Sequence, residues 1–142
     1  MSTNRLWYRG SSDFHVHLSD FHVFKALESL DLSSNGIAGF VQNKAGNERL
    51  SWPSSLDVLD LSYNSLRNDT ISSFSDLKCL KQLNLRSNEL EGYLNISELY
   101  ALTKLEMLDL SENQIKGFVV NQGWSKLNKL EQLCLQGIIF GW

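Results

Sequence analysis

The chain contains one proline, Pro53, in 142 residues, and no run of about eighteen apolar residues. The second absence excludes a membrane-spanning helix in this sequence. Basic residues are not in excess: 13 Lys and Arg against 16 Asp and Glu give a net charge of −3. The footprint of a nucleic-acid binder is therefore missing, and no block of like charges marks an interaction tail. There are two cysteines, Cys79 and Cys134, at a spacing that matches no zinc or redox motif. The three histidines all fall within the first 22 residues, apart from any Ser or Cys with an evident catalytic partner. No glycine-rich phosphate loop, G-x-S-x-G elbow or kinase signature appears. These absences argue against catalysis, a cofactor or a metal, while a 42% hydrophobic composition is too apolar for disorder.

What is abundant is leucine, and it is periodic. The segments LESLDLSSN (27–35), LDVLDLSYN (56–64), LKQLNLRSN (80–88) and LEMLDLSEN (105–113) all fit L-x-x-L-x-L-x-x-N. LEQLCLQGI (130–138) keeps the three leucines and replaces the asparagine with Ile138. The first leucines stand at 27, 56, 80, 105 and 130, and 15 of the 25 leucines occupy this framework. Apolar residues recur every three positions upstream: Phe21 and Phe24, Leu50 and Pro53, Phe74 and Leu77, Leu99 and Leu102, Trp124 and Leu127. A period of 24 to 25 falls in the leucine-rich-repeat window.

The spacing dictates the fold. The two leucines of L-x-L point to one face of an extended strand. The three-residue spacing upstream suits short 3₁₀ turns, in which i and i+3 eclipse. One unit cannot bury its own apolar face, so neighbours must stack. The expectation is an α/β-type solenoid with one parallel concave sheet and a 3₁₀ or irregular convex side. Residues 1–23 form an N-terminal flank or partial cap, 24–137 about five repeats, and 138–142 a non-repeat tail. Asn35, Asn64, Asn88 and Asn113 form a structural ladder whose amides satisfy backbone groups at each turn. Ile138 lacks those bonds, so the last turn is expected to be poorly formed or to end there.

Three repeats continue N-x-φ-x-G-x-φ after the asparagine: Asn35 to Val41, Asn88 to Leu94 and Asn113 to Val119. With L-D-L-S-x-N in front, the chain resembles the plant-specific leucine-rich repeats of receptor-like proteins and receptor kinases over about residues 18 to 135. That resemblance implies a right-handed extracellular solenoid without enzymatic activity. It also implies a peptide, glycan or protein ligand and a co-receptor kinase, in signalling or defence at the plasma membrane. Alternatives are a secreted inhibitor of the polygalacturonase-inhibiting type and a short intracellular scaffold. The pattern departs from the family where Gln42, Asn95 and Val120 replace its proline and Asn68 replaces its glycine. Neither the usual signal peptide and cysteine-paired cap nor the membrane helix is seen, so a fragment, a truncated product or a short member is expected.

On the concave sheet, the positions flanking the inward leucines face out. They include Ser29, Asp31 and Ser33, then Val58, Asp60 and Ser62, then Gln82, Asn84 and Arg86, then Met107, Asp109 and Ser111. Such solenoids commonly recognise ligands on this face. The candidate site is accordingly Val58, Asp60, Tyr63, Gln82, Asn84, Arg86, Met107 and Asp109. Arg86 and Tyr63 are the residue types that anchor interfaces. Asn68-Asp-Thr70 and Asn95-Ile-Ser97 are glycosylation sequons. In Phe14-His-Val-His-Leu18 the apolar residues alternate with His15 and His17, as in a strand that buries Phe14, Val16 and Leu18. Cys79 and Cys134 stand two repeats apart, too far for a disulfide. Apolar residues from Trp124 to Trp142 leave the last repeat prone to association.

Overall fold

A computed structural model describes residues 3–5, 14–21, 23–42, 44–45, 48–49, 51–121 and 123–139, with residues 3–5, 44–45 and 48–49 described by their backbone only. The strands are short and follow the repeat. They are β1 (Thr3–Arg5), β2 (Phe14–His17), β3 (Ser29–Asp31), β4 (Ile37–Val41), β5 (Lys44–Ala45) and β6 (Glu48–Arg49). Then come β7 (Val58–Asp60), β8 (Gln82–Asn84), β9 (Glu91–Asn95), β10 (Met107–Asp109), β11 (Gln114–Val119) and β12 (Gln132–Cys134). One parallel sheet runs β1-β3-β7-β8-β10-β12. Apart from β1, which pairs with β3 outside the leucine framework, each strand of this sheet is the middle of one L-x-x-L-x-L segment. On the flank, β2 pairs parallel with β4, and β9 with β11. The opposite layer is built from 3₁₀ segments at Leu18–Phe21, Asn68–Phe74, Ile96–Leu99 and Trp124–Lys126. The chain is therefore a leucine-rich-repeat solenoid, with the layers that the spacing requires.

The core lies between sheet and 3₁₀ layer and is mostly leucine. Leu56, Leu59, Leu61, Leu80, Leu83, Leu85, Leu105, Leu108 and Leu110 are fully buried. In the last turn, Leu130, Leu133 and Leu135 are only half-buried. Each inner leucine has a turn on both sides, whereas those of the last turn are covered from one.

Three departures from the sequence pattern have identifiable causes. The first step, from Leu27 to Leu56, is 29 residues, against 24 or 25 for the others. The extra length carries the antiparallel pair β5–β6, which the repeat accommodates as an excursion. Trp52, absent from the expected core, is buried there and donates its Nε1–H to the Ser73 carbonyl at 2.9 Å. It stacks on Phe21 at 6.1 Å and meets Phe40 edge-on at 4.7 Å, with Phe74 at 6.1 Å. Leu50, its expected counterpart, lies outside the described residues. Phe24, one of the apolar positions that recur upstream of the repeat, is 40% exposed and borders a shallow cavity with Phe21, Trp52 and Pro53.

The last turn forms despite Ile138. Leu110 and Glu112 donate their N–H groups to the carbonyls of Cys134 and Gln136 at 2.9 and 2.8 Å, so the backbone ladder reaches that turn without an asparagine. The reason lies in whom each asparagine serves. The Asn64 Oδ1 accepts from the N–H groups of Asn35 and Ile37, both one turn earlier, each at 3.0 Å. Its Nδ2 donates to the carbonyls of Leu32 and Leu61. The Asn113 Oδ1 likewise accepts from Asn88 and Leu90, and the Asn88 Oδ1 from Leu66. A missing asparagine leaves the N–H groups of the turn before it without an acceptor, while its own turn loses only a donor to its carbonyls.

A feature of the turns went unread in the sequence. Ser34, Tyr63, Ser87 and Glu112 all have positive φ, between 54 and 59°, and the fifth repeat has Gly137 at 75°. In three of the repeats an aspartate three residues earlier, Asp31, Asp60 or Asp109, starts this turn. The Asp31 Oδ1 accepts from the N–H and hydroxyl of Ser33 at 2.9 and 2.6 Å, and Asp60 does the same for Ser62. The chain then bends through the left-handed region, which costs a non-glycine residue about 1–2 kcal/mol. Ser87→Gly should accordingly leave the urea midpoint unchanged or raise it. Ser87→Val, with a β-branched side chain, should lower stability by about 1–2 kcal/mol. A valine variant as stable as the parent would show that the turn is not held in this region.

Candidate functional site

The concave surface is a grid set by strand register. Val58, Gln82 and Met107 are partners across neighbouring strands, followed by Gln132. Asp60, Asn84 and Asp109 form the second row, with Asp31 before them and Cys134 after. All six predicted residues in these rows therefore share one surface. Gln82 is exposed and the other five are half-buried.

The aspartates are less available than a row of solvated acids would be. The Asp60 Oδ1 serves the Ser62 N–H and hydroxyl, and the Asp109 Oδ1 accepts the Ser111 N–H at 2.9 Å. One carboxylate oxygen of each is thus taken by the turn. The serines do not face outward as expected: Ser33, Ser62 and Ser111 are all buried. Each strand ends at the aspartate, and the bend turns the serine inward while the next residue turns out.

The third repeat breaks this arrangement. It reads Leu83-Asn-Leu-Arg-Ser-Asn88, with Asn84 and Arg86 where the first, second and fourth repeats have Asp and Ser. The Asn84 Oδ1 still accepts the N–H of Arg86 at 3.0 Å, so the turn is preserved. The position of the buried serine now holds a guanidinium. The Arg86 Nη2 lies 3.8 Å from the Glu112 Oε1, a loose ion pair. Its Nε–H is buried without an acceptor among the described residues. A buried donor in that condition is uncommon. Tyr63 lies on the adjoining turn, its N–H bonded to the Arg86 carbonyl at 2.8 Å, and is 55% exposed. Tyr63, Arg86 and Glu112 thus run across three successive turns. Glu112 occupies the same repeat position as Tyr63, with the same left-handed backbone, and was not among the sequence candidates.

The remaining candidates lie elsewhere. Asn68 and Asn95 are on the flank, at the start of the 3₁₀ segments of the second and third repeats. His15 and His17 are exposed on β2, with Val16 and Leu18 buried, in the alternation that the sequence suggests. His22 lies outside the described residues. Among the described residues no group of three or more His, Cys, Asp or Glu is arranged to hold a metal ion. Cys79 and Cys134 are both free thiols. No helix among the described residues is long and apolar enough to cross a membrane.

Comparison with known proteins agrees with this geometry. Leucine rich repeat family models match residues 51–92 and 26–39. Putative receptor-like protein 8 of Arabidopsis thaliana is 39% identical over 91 residues, 63% of this chain and 9% of that protein. Receptor-like protein 15 of Arabidopsis thaliana is 38% identical over 88 residues, 62% of this chain and 9% of that protein. The chain thus spans about a tenth of the length of the curated relatives it matches. Among solved structures, an internalin C2 from Listeria monocytogenes superposes with a TM-score of 0.55 at 20% identity, covering 82% of this chain and 55% of that one. A plant peptide hormone receptor, RGFR1, in complex with RGF2 gives 0.56 at 22% identity, covering 89% of this chain and 23% of the receptor. At these identities the two structures speak for the fold.

Proposed function

The chain is a leucine-rich-repeat solenoid related to the plant receptor-like proteins, and we propose that it is a ligand-recognition segment of such a protein, displayed at the cell surface for signalling or defence. Its contribution is to bind a peptide, glycan or protein, with a co-receptor kinase supplying the catalytic output. It has no catalytic part of its own in this reading.

The observation that carries this reading is the pairing of Tyr63 and Arg86 on the concave grid. Framework residues explain most of that surface, because Asp60 and Asp109 hold turns. The Arg86 side chain holds no turn, and its Nε–H lacks an acceptor among the described residues. An arginine beside an exposed tyrosine is the composition of an interface anchor. Val58 and Met107 add half-buried apolar surface, and Gln82 an exposed amide. A ligand lying along the strand rows would meet all of them. The second similar structure is a peptide hormone receptor with RGF2 bound, which supports a peptide as one ligand class.

The reading is tested by screening the immobilised chain against a synthetic peptide library and extracellular plant fluid. Any binder found should lose roughly tenfold or more in affinity on Arg86→Ala or Tyr63→Ala. Substitution of Lys116, on the flank, should leave binding unchanged. A binder indifferent to both concave substitutions would exclude this face.

A further inference from the structure

The two sequons are equivalent as sequence but opposite as chemistry. Asn68 stands where three other repeats place the glycine of a flanking strand, Gly39, Gly92 or Gly117. The second repeat makes no such strand among the described residues and passes directly into the 3₁₀ segment Asn68–Phe74. The Asn68 side chain takes over the missing pairing. Its Nδ2 donates to the Glu91 carbonyl at 2.7 Å, and its Oδ1 accepts the Glu91 N–H at 3.0 Å. The amide thus docks on β9 as a strand's peptide group would. Both bonds leave one edge of the amide, so the hydrogen in use is the one cis to Oδ1.

An N-linked sugar needs that same place. Glycosylation replaces one Nδ2 hydrogen by the sugar's anomeric carbon and makes a secondary amide. A secondary amide keeps its substituent trans to carbon, here Cβ, and therefore cis to the oxygen. The opposite arrangement is disfavoured by roughly fiftyfold or more. A glycan on Asn68 must either break the bond to Glu91 or adopt that rare form.

Asn95 has no such conflict. Its Oδ1 accepts the Ser97 N–H at 3.1 Å and the Ser97 hydroxyl at 2.6 Å, capping the segment Ile96–Leu99. Its Nδ2 has no hydrogen-bond partner among the described residues and is not sealed from solvent. Its partner across the flanking strands is Val119, itself 42% exposed, so that side is open. A sugar on Nδ2 leaves the capping oxygen untouched.

We propose that Asn95 is the N-glycan acceptor of this chain, and that Asn68 is an unmodified clasp between the second and third repeats. The inference rests on the reading of cell-surface display only for its compartment, since N-glycans are attached in the secretory lumen. The full chain behind a supplied secretion leader, expressed in insect or plant cells, provides the test. The soluble monomeric fraction from medium and lumen is deglycosylated enzymatically in heavy-oxygen water, and the peptides are mapped. Asn95 should carry the label at roughly tenfold or more the occupancy of Asn68. Ser97→Ala should return the intact mass to that of the bare chain, and Thr70→Ala should leave it unchanged. Comparable label on Asn68 in the folded monomer, or a bare Asn95, would overturn the assignment. Because the leader is supplied, either result stands apart from whether the chain reaches the surface in its own cells.

Discussion

Asn64→Ala is expected to destabilise the chain by about 3–5 kcal/mol, because it strands backbone groups in two turns at once. The side chain accepts from the N–H groups of Asn35 and Ile37 and donates to the carbonyls of Leu32 and Leu61, all within 3.0 Å. Each buried group left without a partner costs about 1–3 kcal/mol, and entry of water recovers part of the sum. Against a total stability of about 5–15 kcal/mol, the loss is severe. Asn35 supplies the internal control. It donates to the Leu32 and Ser33 carbonyls, but its Oδ1 has no partner among the described residues. Asn35→Ala should therefore cost about half as much as Asn64→Ala. Urea unfolding of the two variants decides the matter. Equal losses, or a loss at Asn64 below about 1 kcal/mol, would show that the ladder does not carry the turns.

Phe74→Ala is the second large effect, expected at about 3–5 kcal/mol. Phe74 is fully buried and packs at 6.0 Å from the ring of Phe40 and 6.1 Å from that of Trp52. Its removal opens a cavity beside the tryptophan, whose Nε1–H is tied to the neighbouring Ser73 carbonyl. Tryptophan fluorescence should then shift to longer wavelength in the folded state as water reaches that layer. Phe74→Leu, which keeps most of the volume, should cost less than half as much. Leu133→Ala in the last turn offers a contrast: its side chain is already half-buried, so its loss should be well below that at Leu83.

The parts of this fold that are legible in sequence are those set by a repeating physical need. Leucines two apart must share a strand face, and the buried asparagine must find backbone partners, so both read correctly from spacing alone. The concave rows also read correctly as far as the strands extend, from Val58 to Asp60 and their equivalents. Beyond the strand the reading failed, because the facing of Ser33, Ser62 and Ser111 depends on a left-handed residue. No hydrophobic period reports that residue, and serine, tyrosine and glutamate all fill it. Trp52 was missed because it falls one residue before the apolar position Pro53, and only the path of the preceding excursion brings its ring inward. The clasp of Asn68 was missed because its partner is a backbone group 23 residues away, which leaves no mark on side-chain pattern.

The direction in which the asparagines work has a consequence for biosynthesis. Each amide completes the turn that precedes it, as Asn64 does for the turn of Asn35 and Ile37. A chain leaving the ribosome from its N-terminus therefore finishes every turn one repeat late. The newest turn at any moment has its leucines and strand in place but its buried N–H groups unanswered. Growth of the coil is then a relay in which synthesis of the next segment, rather than any rearrangement of the last, is the step that locks each turn.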